Sequence, residues 1–506
     1  MDLNDNACYR AIATRDRRFD GRLFVAVKTT GIYCRPVCPA RTPKRANVRF
    51  FSSAAAAQEA GFRPCLRCRP ETSPDLGAWH GTSNTVSRAL RLIESGVLDD
   101  GTVDALAERL GVGERQLRRL FKEHLGASPI AVAQTRRVLL ARQLIHDTRL
   151  PMAEIALAAG FGSVRRFNET FQALYARPPG KLRRTLHAAV SAAAAGELTL
   201  RLPYRPPYDW PAILAFLAHR AIPGVESVRG GTYSRTVRLG EASGFISVAP
   251  GAGHFLEASI CFPKLAALPA IIARIRRVFD LAADPSVIGA HLAEDPQLAP
   301  LVAARPGLRV PGAWDGFELG VRAILGQQIT VSAARNLAAR LASKHGNPLV
   351  SERADALGLE RVFPDAASIA ASDLAHMPMP RARGHALQSL ARALIEDPQL
   401  FSVHRSLDEA IAHLRTLHGI GEWTAQYIAM RQLRESDAFP TGDVALLKAL
   451  HVMDGTRPTP RQMQERSKRW SPWRAYAAVH LWATVANANA ALSEQPGGRS
   501  DDRRAA

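Results

Sequence analysis

Residues 31–38 (GIYCRPVC) and 61–68 (GFRPCLRC) carry four of the six cysteines of this 506-residue chain. The cysteines form a C-x3-C pair and a C-x2-C pair, and 26 residues separate the two pairs. Tight pairs flanked by glycine and proline turns are typical of a tetrahedral zinc site with four thiolates, whereas scattered cysteines would serve only packing. The spacing therefore predicts one zinc ion in a small N-terminal domain. The predicted ligands are Cys34, Cys38, Cys65 and Cys68.

Basic residues crowd the same two runs, and the whole chain has a formal net charge of +20 with a pI near 10.4. The basic residues near the cysteines are Arg35, Arg41, Lys44, Arg45, Arg63, Arg67 and Arg69. Such a surface predicts a polyanionic partner, and nucleic acid is favoured over a membrane because no segment is long and apolar enough to span or anchor. The N-terminal residues lack the apolar stretch of a secretory signal, so we expect a cytoplasmic location.

Two short glycine turns, at residues 111–113 and 160–162, interrupt an otherwise helical pattern over residues 86–186. Each turn precedes a predicted helix, at 114–125 and 163–175, with an apolar inner stripe and a basic outer face. A single basic helix face is usually only solvated surface. Two such helices, each preceded by a short glycine turn, predict a double helix-turn-helix that contacts successive major grooves of DNA. The predicted DNA contacts are Arg115, Arg118, Arg119, Arg165 and Arg166.

The composition of the other segments indicates how the chain is divided into domains and linkers. Residues 71–83 and 187–196 are interpreted as linkers, and 491–506 as a disordered tail. Strand and turn signals from 198 to 261 predict a small α/β subdomain, and the chain is helical from about residue 269. The predicted fold is multidomain and mainly α: a small zinc-bound α/β domain, an all-α double helix-turn-helix domain, and a small α/β subdomain packed with an all-α domain. The predicted boundaries are 1–75, 84–186, 198–283, 284–490 and 491–506.

Residues 417–425 (LHGIGEWTA) place two glycines in a tight turn between predicted helices. Such a turn often has no role beyond reversing the chain, but it can bring bare backbone N–H groups against a DNA phosphate at a helix N-terminus. About twenty residues later, the run FPTGD puts Asp443 at the start of another helix. An N-cap is the plainest interpretation of Asp443, and it is compatible with catalysis because a capping carboxylate is held in a fixed orientation.

A polar break at residues 326–328 (GQQ) separates two amphipathic helices predicted within 314–337. Four aromatic residues follow late in the chain, and the sequence leaves open whether they form core or stack on a ligand. These residues are Trp470, Trp473, Tyr476 and Trp482.

The motifs resemble known families over nearly the whole chain. Residues 1–75 resemble the zinc domain of Ada alkylation-response proteins through TTGIYCRPVCPAR, ANVRF and GFRPCLRC. Residues 86–186 resemble the AraC-type double helix-turn-helix through AEIALAAGFGSVRRFNETFQALYARPPGKLRR. Residues 198–488 resemble AlkA-type 3-methyladenine DNA glycosylases, of the helix-hairpin-helix superfamily, through RPGLRVPGAWDGFELGVRAILGQQ, LHGIGEWTAQY, FPTGD and SPWRAYAAVHLW. No P-C-H-R run follows the helix-turn-helix, and a glycosylase-like segment stands there instead.

The Ada resemblance implies that Cys34 accepts a methyl group irreversibly from a methylphosphotriester in DNA. The methylated sulfur no longer carries a negative charge, so repulsion of DNA phosphates falls and operator binding is expected to tighten. The implied result is a methylation-switched transcriptional activator with double-stranded DNA and RNA polymerase as partners and zinc as cofactor. A nucleoid-associated bacterial location, no membrane partner and no small-molecule cofactor are expected with it.

The AlkA resemblance implies that Asp443 is catalytic and that N-alkylated purines such as 3-methyladenine are excised. The base pocket is implied to be Trp423, Tyr427 and Trp482, and the DNA contacts to be Gly419, Gly421, Thr424, Gln327 and Gln328. Gln328 falls at the wedge position, where a leucine is usual. Trp423 stands where lyase-type relatives carry a lysine, so hydrolysis without strand cleavage is implied.

Two alternatives stay open at the level of sequence. The chain could be a transcription regulator with a structural zinc site and a catalytically silent glycosylase fold, or an active glycosylase with an inert zinc domain. Release of 3-methyladenine from methylated DNA would separate the first alternative from a repair enzyme. A methyl group added to Cys34 would exclude the second.

Overall fold

The structure is a computed structural model that describes residues 4–74, 84–184, 197–402 and 406–493. Within these ranges the chain is mainly helical, with two small sheets, which confirms the predicted fold class. Residues 75–83 and 185–196 are outside the described ranges, so most of the first predicted linker and all of the second lie there. No helix in the described ranges is long and apolar enough to cross a membrane.

The N-terminal module is a four-stranded sheet of order β3-β1-β2-β4 with two helices. Its elements are α1 (Asp5–Ala13), β1 (Phe24–Val27), β2 (Ile32–Cys34), β3 (Val48–Phe51), α2 (Ala54–Glu59) and β4 (Arg63–Pro64). The Ser53 side chain caps α2 by accepting from the Ala56 amide at 3.0 Å, which satisfies one of the free N–H groups at the start of this alanine-rich helix. Strands β2 and β4 are parallel neighbours, so the two cysteine runs lie side by side.

The second module contains eight helices within the described residues, and both predicted glycine turns are present. They are α3 (Asn84–Glu94), α4 (Val97–Asp100), α5 (Val103–Arg109), α6 (Glu114–Leu125), α7 (Pro129–Asp147), α8 (Met152–Ala158), α9 (Val164–Tyr175) and α10 (Pro179–Arg184). Gly160 has a φ of +87°, and a Cβ there would lie 2.4 Å from a carboxylate oxygen of Asp99. A side chain at residue 160 is therefore excluded by both backbone conformation and space.

The third module is an antiparallel sheet of order β5-β9-β8-β7-β6 with one helix. Its elements are β5 (Leu198–Pro203), α11 (Trp210–Arg220), β6 (Glu226–Arg229), β7 (Thr232–Leu239), β8 (Ala242–Pro250) and β9 (Phe255–Cys261). The strand signals of the sequence lie at 198–202, 233–239, 245–249 and 255–261 and correspond to β5, β7, β8 and β9. Strand β6 was not predicted; it has four residues and ends at the Gly230–Gly231 turn. A strand this short gives little periodicity to detect.

The rest of the chain is helical, as predicted. The helices are α12 (Leu268–Val278), α13 (Pro285–Leu292), α14 (Ala299–Ala304), α15 (Gly316–Leu325), α16 (Val331–His345), α17 (Glu352–Ala356), α18 (Ala366–Ala370), α19 (Arg381–Glu396), α20 (Leu407–Arg415), α21 (Glu422–Arg431), α22 (Val444–Asp454), α23 (Pro460–Ser467) and α24 (Arg474–Ser493). Residues 491–493 belong to α24, so the predicted tail begins too early, and residues 494–506 lie outside the described ranges.

Ion pairs join neighbouring modules, and one of them involves a residue that was predicted to lie in a linker. Glu71, predicted to begin a linker, is buried, and its Oε2 lies 3.1 Å from Nη1 of Arg142 on α7. Arg88 on α3 donates to Glu435 at 3.0 and 2.9 Å, across the contact between the helix-turn-helix and the last module. The linker prediction at Glu71 is wrong because a buried carboxylate needs a cation, which α7 supplies.

Candidate functional site

The four predicted zinc ligands meet at one point. Cys34 ends β2, and Cys65 directly follows β4, whose neighbour is β2; the Cys65 amide donates to the Tyr33 carbonyl at 2.9 Å. All four sulfur atoms lie within 4.8 Å of one another. Sulfur atoms of a tetrahedral zinc site with bonds of about 2.3 Å lie about 3.8 Å apart, so this donor set fits zinc.

Backbone amides also face the sulfur atoms. The Arg35 amide lies 3.4 Å from Sγ of Cys68, and the Arg67 amide lies 3.3 Å from Sγ of Cys65. N–H donors of this kind stabilise thiolate charge. Cys34 is half-buried, whereas Cys65 and Cys68 are only 7% and 8% exposed. Cys34 is therefore more open to a large substrate than these two ligands.

Part of the basic surface predicted around the cysteines is engaged inside the protein. Arg35 pairs with Asp20, and Arg69 lies 3.0 Å from both Glu71 and Asp147. Both arginines are half-buried and already paired with carboxylates, so Arg35 and Arg69 stabilise the fold rather than face phosphates. The exposed cations near the cysteines are Arg41, Lys44 and Arg67.

Both predicted recognition helices present their arginines to solvent. The stripe Leu117, Phe121, Phe167 and Phe171 is buried on the inner side of α6 and α9. The outer side chains Arg115, Arg118, Arg119, Arg165 and Arg166 are all exposed. Arg118 donates to Glu114 at 2.8 Å and Arg165 to Glu169 at 2.8 Å, each within its own helix. Exposed pairs of this kind are weak enough to open for a phosphate.

Asp443 is the N-cap of α22, with Oδ1 accepting from the Leu446 amide at 3.0 Å. Two indole N–H groups reach the same carboxylate: Trp423 donates to Oδ2 at 2.8 Å, and Trp482 donates to Oδ1 at 3.0 Å. The predicted N-cap is thus confirmed. Helices α21, α22 and α24 together fix the orientation of both carboxylate oxygens.

The three aromatic residues predicted for a base pocket line one cavity of about 920 Å³, together with Asp443. The rings of Trp423 and Tyr427 stack with centroids 5.1 Å apart and an interplanar angle of 11°. Trp470, Trp473 and Tyr476, which the sequence left open, are buried in the core. A cavity of this size, in which aromatic rings lie beside the fixed carboxylate of Asp443, accommodates a nucleobase.

The lining residues that the sequence did not predict include Phe216 and Arg220 on α11, and Arg431 on α21. The guanidinium carbon of Arg431 lies 4.8 Å from the Phe216 ring centre, and Nη1 of Arg431 lies 2.6 Å from the Tyr427 hydroxyl. Burial by itself raises the pKa of Tyr427, but the positive charges of Arg431 and Arg220 outweigh it and lower the pKa below its ordinary value. No local motif marks Phe216, because its helix lies some two hundred residues before α21.

The glycine turn between α20 and α21 is braced by the 326–328 loop. The Gln327 side-chain amide donates to the Gly419 carbonyl at 2.8 Å and lies 3.4 Å from Oγ1 of Thr424. Thr424, which was predicted to contact DNA, is only 3% exposed, so its side chain is buried. Its position after the turn points it into the protein. Gly421 is exposed, and a Cβ there would meet no atom within 4 Å.

Gln328 is exposed and has a φ of +58°, a conformation that side-chain-bearing residues rarely adopt. Arg383 on α19 donates to the carbonyl of the preceding Gln327 at 2.7 Å, which holds the loop in this shape. The tip of the loop thus presents Gln328 to solvent beside the glycine turn.

A DNA-binding regulator joined to a base-excision enzyme is the class that these modules define together. Family models match the four modules in order: the metal binding domain of Ada over residues 7–71, a helix-turn-helix domain over 106–185, the AlkA N-terminal domain over 199–315, and the HhH-GPD superfamily of base excision DNA repair proteins over 321–475.

Curated relatives agree with the family models. The chain is 42% identical over 480 residues to the probable bifunctional transcriptional activator/DNA repair enzyme AlkA of Mycobacterium tuberculosis, which covers 94% of this chain and 96% of that protein. The DNA-3-methyladenine glycosylase 2 of Escherichia coli is 37% identical over 56% of this chain and 96% of its own length. The bifunctional activator/repair enzyme Ada of Escherichia coli is 38% identical over 31% of this chain and 43% of its length.

The chain therefore belongs to the family of bifunctional transcriptional activator/DNA repair enzymes that join an Ada-type front half to an AlkA-type glycosylase. The resemblance predicted from the motifs is confirmed, and the cysteine cluster is a zinc site of the Ada kind. DNA is the partner of these modules.

Proposed function

We propose that this protein excises N-alkylated purines such as 3-methyladenine from DNA by hydrolysis, with Asp443 as the catalytic residue. The observation that carries this proposal is the Asp443 carboxylate, held by two indole N–H groups and a helix N-terminus at the edge of an aromatic cavity. The target nucleotide would be flipped out of the duplex so that its base enters the cavity. An alkylated purine carries positive charge, so aromatic ring faces attract it more than they attract an ordinary base.

In the proposed reaction the bond between C1′ of the sugar and the purine nitrogen breaks, and its electron pair leaves with the base. Positive charge then develops on the sugar, and the fixed Asp443 oxygens stabilise that charge. Water adds to C1′ and loses a proton, which leaves an abasic site. No lysine stands at the position of Trp423, so the sugar–phosphate backbone is expected to stay intact.

The flipped nucleotide leaves a gap in the duplex, and the loop tip at Gln328 stands beside the glycine turn to fill it. A glutamine side chain can hydrogen-bond to the orphaned base, which an apolar wedge cannot do. Packing within the protein does not require glycine at residue 421, since a Cβ there would meet no atom. We therefore propose that the exposed Gly421 amide approaches a backbone phosphate of DNA.

The base-excision proposal is tested by Asp443→Asn, which keeps the N-cap and removes the negative charge. We expect free 3-methyladenine release from methylated DNA to fall by about 10²-fold or more, since electrostatic stabilisation of this kind has that worth. Asp408→Asn serves as the matched control, because Asp408 is an exposed residue of α20 that does not line the cavity. This substitution should leave release unchanged. Undiminished release by Asp443→Asn would show that Asp443 is not the catalytic residue, whereas absence of release by the parent chain would favour the silent-glycosylase alternative.

For the front half, Cys34 is proposed to accept methyl groups from DNA methylphosphotriesters. Its sulfur attacks the methyl carbon, the carbon–oxygen bond of the ester breaks, and the phosphodiester leaves as an anion. Zinc, when bound, keeps the four sulfur atoms ionised at neutral pH. Support comes from the partial exposure of Cys34, which two of its fellow ligands lack, and from the exposed cations Arg41, Lys44 and Arg67 nearby.

Methylation of Cys34 is proposed to switch transcription through the double helix-turn-helix. The lost negative charge reduces repulsion of DNA, and the arginines of α6 and α9 are proposed to occupy successive major grooves. RNA polymerase is the proposed further partner at the activated promoter, and bacterial nucleoid DNA in the cytoplasm the proposed place of action.

The methyl-transfer proposal predicts that DNA carrying methylphosphotriesters adds one methyl group to the zinc-loaded protein, and that the methyl group maps to Cys34. Mass spectrometry of the intact chain and its peptides measures both. Cys261→Ser, outside the cluster, should retain full transfer. A chain that stays unmethylated would make the zinc site purely structural, and a methyl group on another cysteine would exclude Cys34 as the acceptor.

A further inference from the structure

A second cavity, of about 390 Å³, lies between the helix-turn-helix module and the glycosylase module. Helices α3 and α5 form one side, and α12 and the loop of residues 432–436 form the other. Its lining includes neither Asp443 nor the aromatic residues of the base cavity. We name it the junction pocket. Seven of its described lining residues are arginines and four are carboxylates, so positive charge is in excess.

The carboxylates of the junction pocket are already engaged. Glu435 accepts both Nε and Nη2 of Arg88, at 3.0 and 2.9 Å. Asp280 pairs with Arg434 and accepts the Tyr476 hydroxyl at 2.9 Å. Glu435 also lies 3.5 Å from Nη2 of Arg91, so these two carboxylates are shared among three of the seven arginines and leave little negative charge for the others.

Of the other two carboxylates, Glu94 is only partly ionised and Asp315 is already paired with Arg274. Burial raises the pKa of Glu94 to about 7, so near neutral pH this side chain is partly protonated. Asp315 caps α15, where it accepts from the Phe317 amide at 2.9 Å, and its nearest arginine is Arg274 at 3.5 Å.

Several arginines of the pocket have neutral partners. Arg277 donates to the carbonyl oxygens of Ala313 and Trp314, at 2.9 and 2.6 Å. Arg109 donates to the Gln399 side-chain oxygen at 2.9 Å. Among the residues that the structure describes, neither Arg277 nor Arg109 forms an ion pair. Carbonyl and amide oxygens satisfy the N–H groups but leave the positive charge uncompensated.

The pKa values of the pocket arginines also indicate uncompensated positive charge. Burial, and then the positive charge of Arg274 nearby, lower the pKa of Arg277 to about 9. Burial lowers the pKa of Arg276 to about 10. On the opposite wall, Nε of Arg91 is buried and, within the described part of the chain, has no hydrogen-bond partner. A bound anion would relieve the mutual repulsion and supply the missing acceptors.

We propose that the junction pocket is a binding site for a phosphate group, held between Arg91 and Arg109 of the helix-turn-helix module and Arg277 of the glycosylase module. Guanidinium groups match phosphate oxygens in geometry, and the negative charge of a phosphate offsets part of the excess positive charge. The same chemistry could come from a DNA backbone phosphate or from free phosphate. Either one would join the two halves of the protein through a shared ligand.

The test titrates inorganic phosphate into the zinc-loaded full chain by calorimetry, against chloride at equal ionic strength. Arg91→Gln and Arg109→Gln should each weaken phosphate binding about 10-fold or more, because hydrogen bonds to charged groups are lost. Arg238→Gln is the matched control, since Arg238 is a half-buried arginine paired with Asp365 outside the pocket. It should bind phosphate as the parent chain does.

The source of the phosphate is separated by the salt dependence of binding to unmodified duplex DNA. If a backbone phosphate fills the pocket, Arg109→Gln reduces the slope of log affinity against log salt by about one; if the ligand is free phosphate, the slope is unchanged while phosphate affinity falls. Both results support the site. Equal phosphate affinity together with equal salt dependence in the pocket variants, the control and the parent chain would overturn it, and circular dichroism of each variant establishes that it is folded.

Discussion

Asp443 accepts three hydrogen bonds, from the Leu446 amide and from the indole nitrogens of Trp423 and Trp482. Each donor comes from a different helix, so the carboxylate can turn only if the packing of those helices changes. The indole of Trp482 has two separable effects, because its N–H orients the carboxylate while its ring lines the cavity. A substitution that keeps an aromatic ring distinguishes them.

Trp482→Phe removes the N–H donor and retains a ring in the cavity. We expect the single-turnover rate of base excision to fall about 10-fold, since a hydrogen bond to a charged group is worth ~1.5–3 kcal/mol. Binding of duplex DNA with an abasic site should change little. Trp482→Ala, which loses donor and ring together, is the comparison, and an excision rate for Trp482→Phe equal to the parent rate would show that Trp482 does not orient Asp443.

At the scale of an element, the turn between α20 and α21 contains two glycines with different physical requirements. Gly419 has a φ of +83°, and a Cβ there would lie 2.5 Å from the Cβ of Ala386 on α19. Gly421 lies in open space. Packing thus demands glycine at one position of the turn and leaves the other free for a ligand to approach.

The two glycines predict opposite phenotypes. Gly419→Ala should lower the unfolding free energy by about 1–3 kcal/mol, through backbone strain and overpacking. Gly421→Ala should leave stability within about 0.5 kcal/mol, as surface substitutions usually do, yet weaken DNA binding because a methyl group separates the amide from phosphate. Denaturant unfolding measures the stability of both variants, and fluorescence anisotropy measures their affinity for DNA. Unchanged DNA affinity in Gly421→Ala would show that this amide does not contact a phosphate.

Across the whole molecule, buried ion pairs tie the zinc module to the helix-turn-helix module. Arg69 forms an ion pair with Asp147, and Arg142 forms one with Glu71. Both arginines act electrostatically on His146. Burial first, and then the positive charges of Arg69 and Arg142, lower the pKa of His146 to about 3. A protonated imidazole here would be buried next to two guanidinium groups.

The stability contributed by a neutral His146 is therefore pH-dependent. The folded pKa lies below the unfolded value of about 6.5, so the contribution is fully present above pH 6.5 and is lost as pH falls toward 3. Between pH 7 and pH 5, we expect the parent chain to lose about 1–2 kcal/mol more unfolding free energy than His146→Leu. His376→Leu, at an exposed position, is the control, and parallel pH profiles for parent and His146→Leu would contradict the prediction.

Local features were predictable wherever neighbours in sequence are also neighbours in space. Helix α2 follows its Ser53 cap, α22 follows Asp443, and the turns at Gly111 and Gly160 stand where the apolar period breaks. The cysteine spacing indicated the zinc cluster because a tetrahedral donor set restricts the possible spacings. Domain limits and individual site roles are still predictions.

The amino-acid order alone determined which segments become helices, which cysteines meet, and that a carboxylate begins α22, because hydrogen bonds and apolar periodicity act within a few residues. The tertiary structure alone decided that Phe216 lines the base cavity, that Thr424 is buried, and that Arg35 serves the fold rather than DNA. These outcomes depend on which distant side chains packing brings together, and burial then obliges each charge to find a partner. Sequence patterns within a few residues do not specify those long-range contacts.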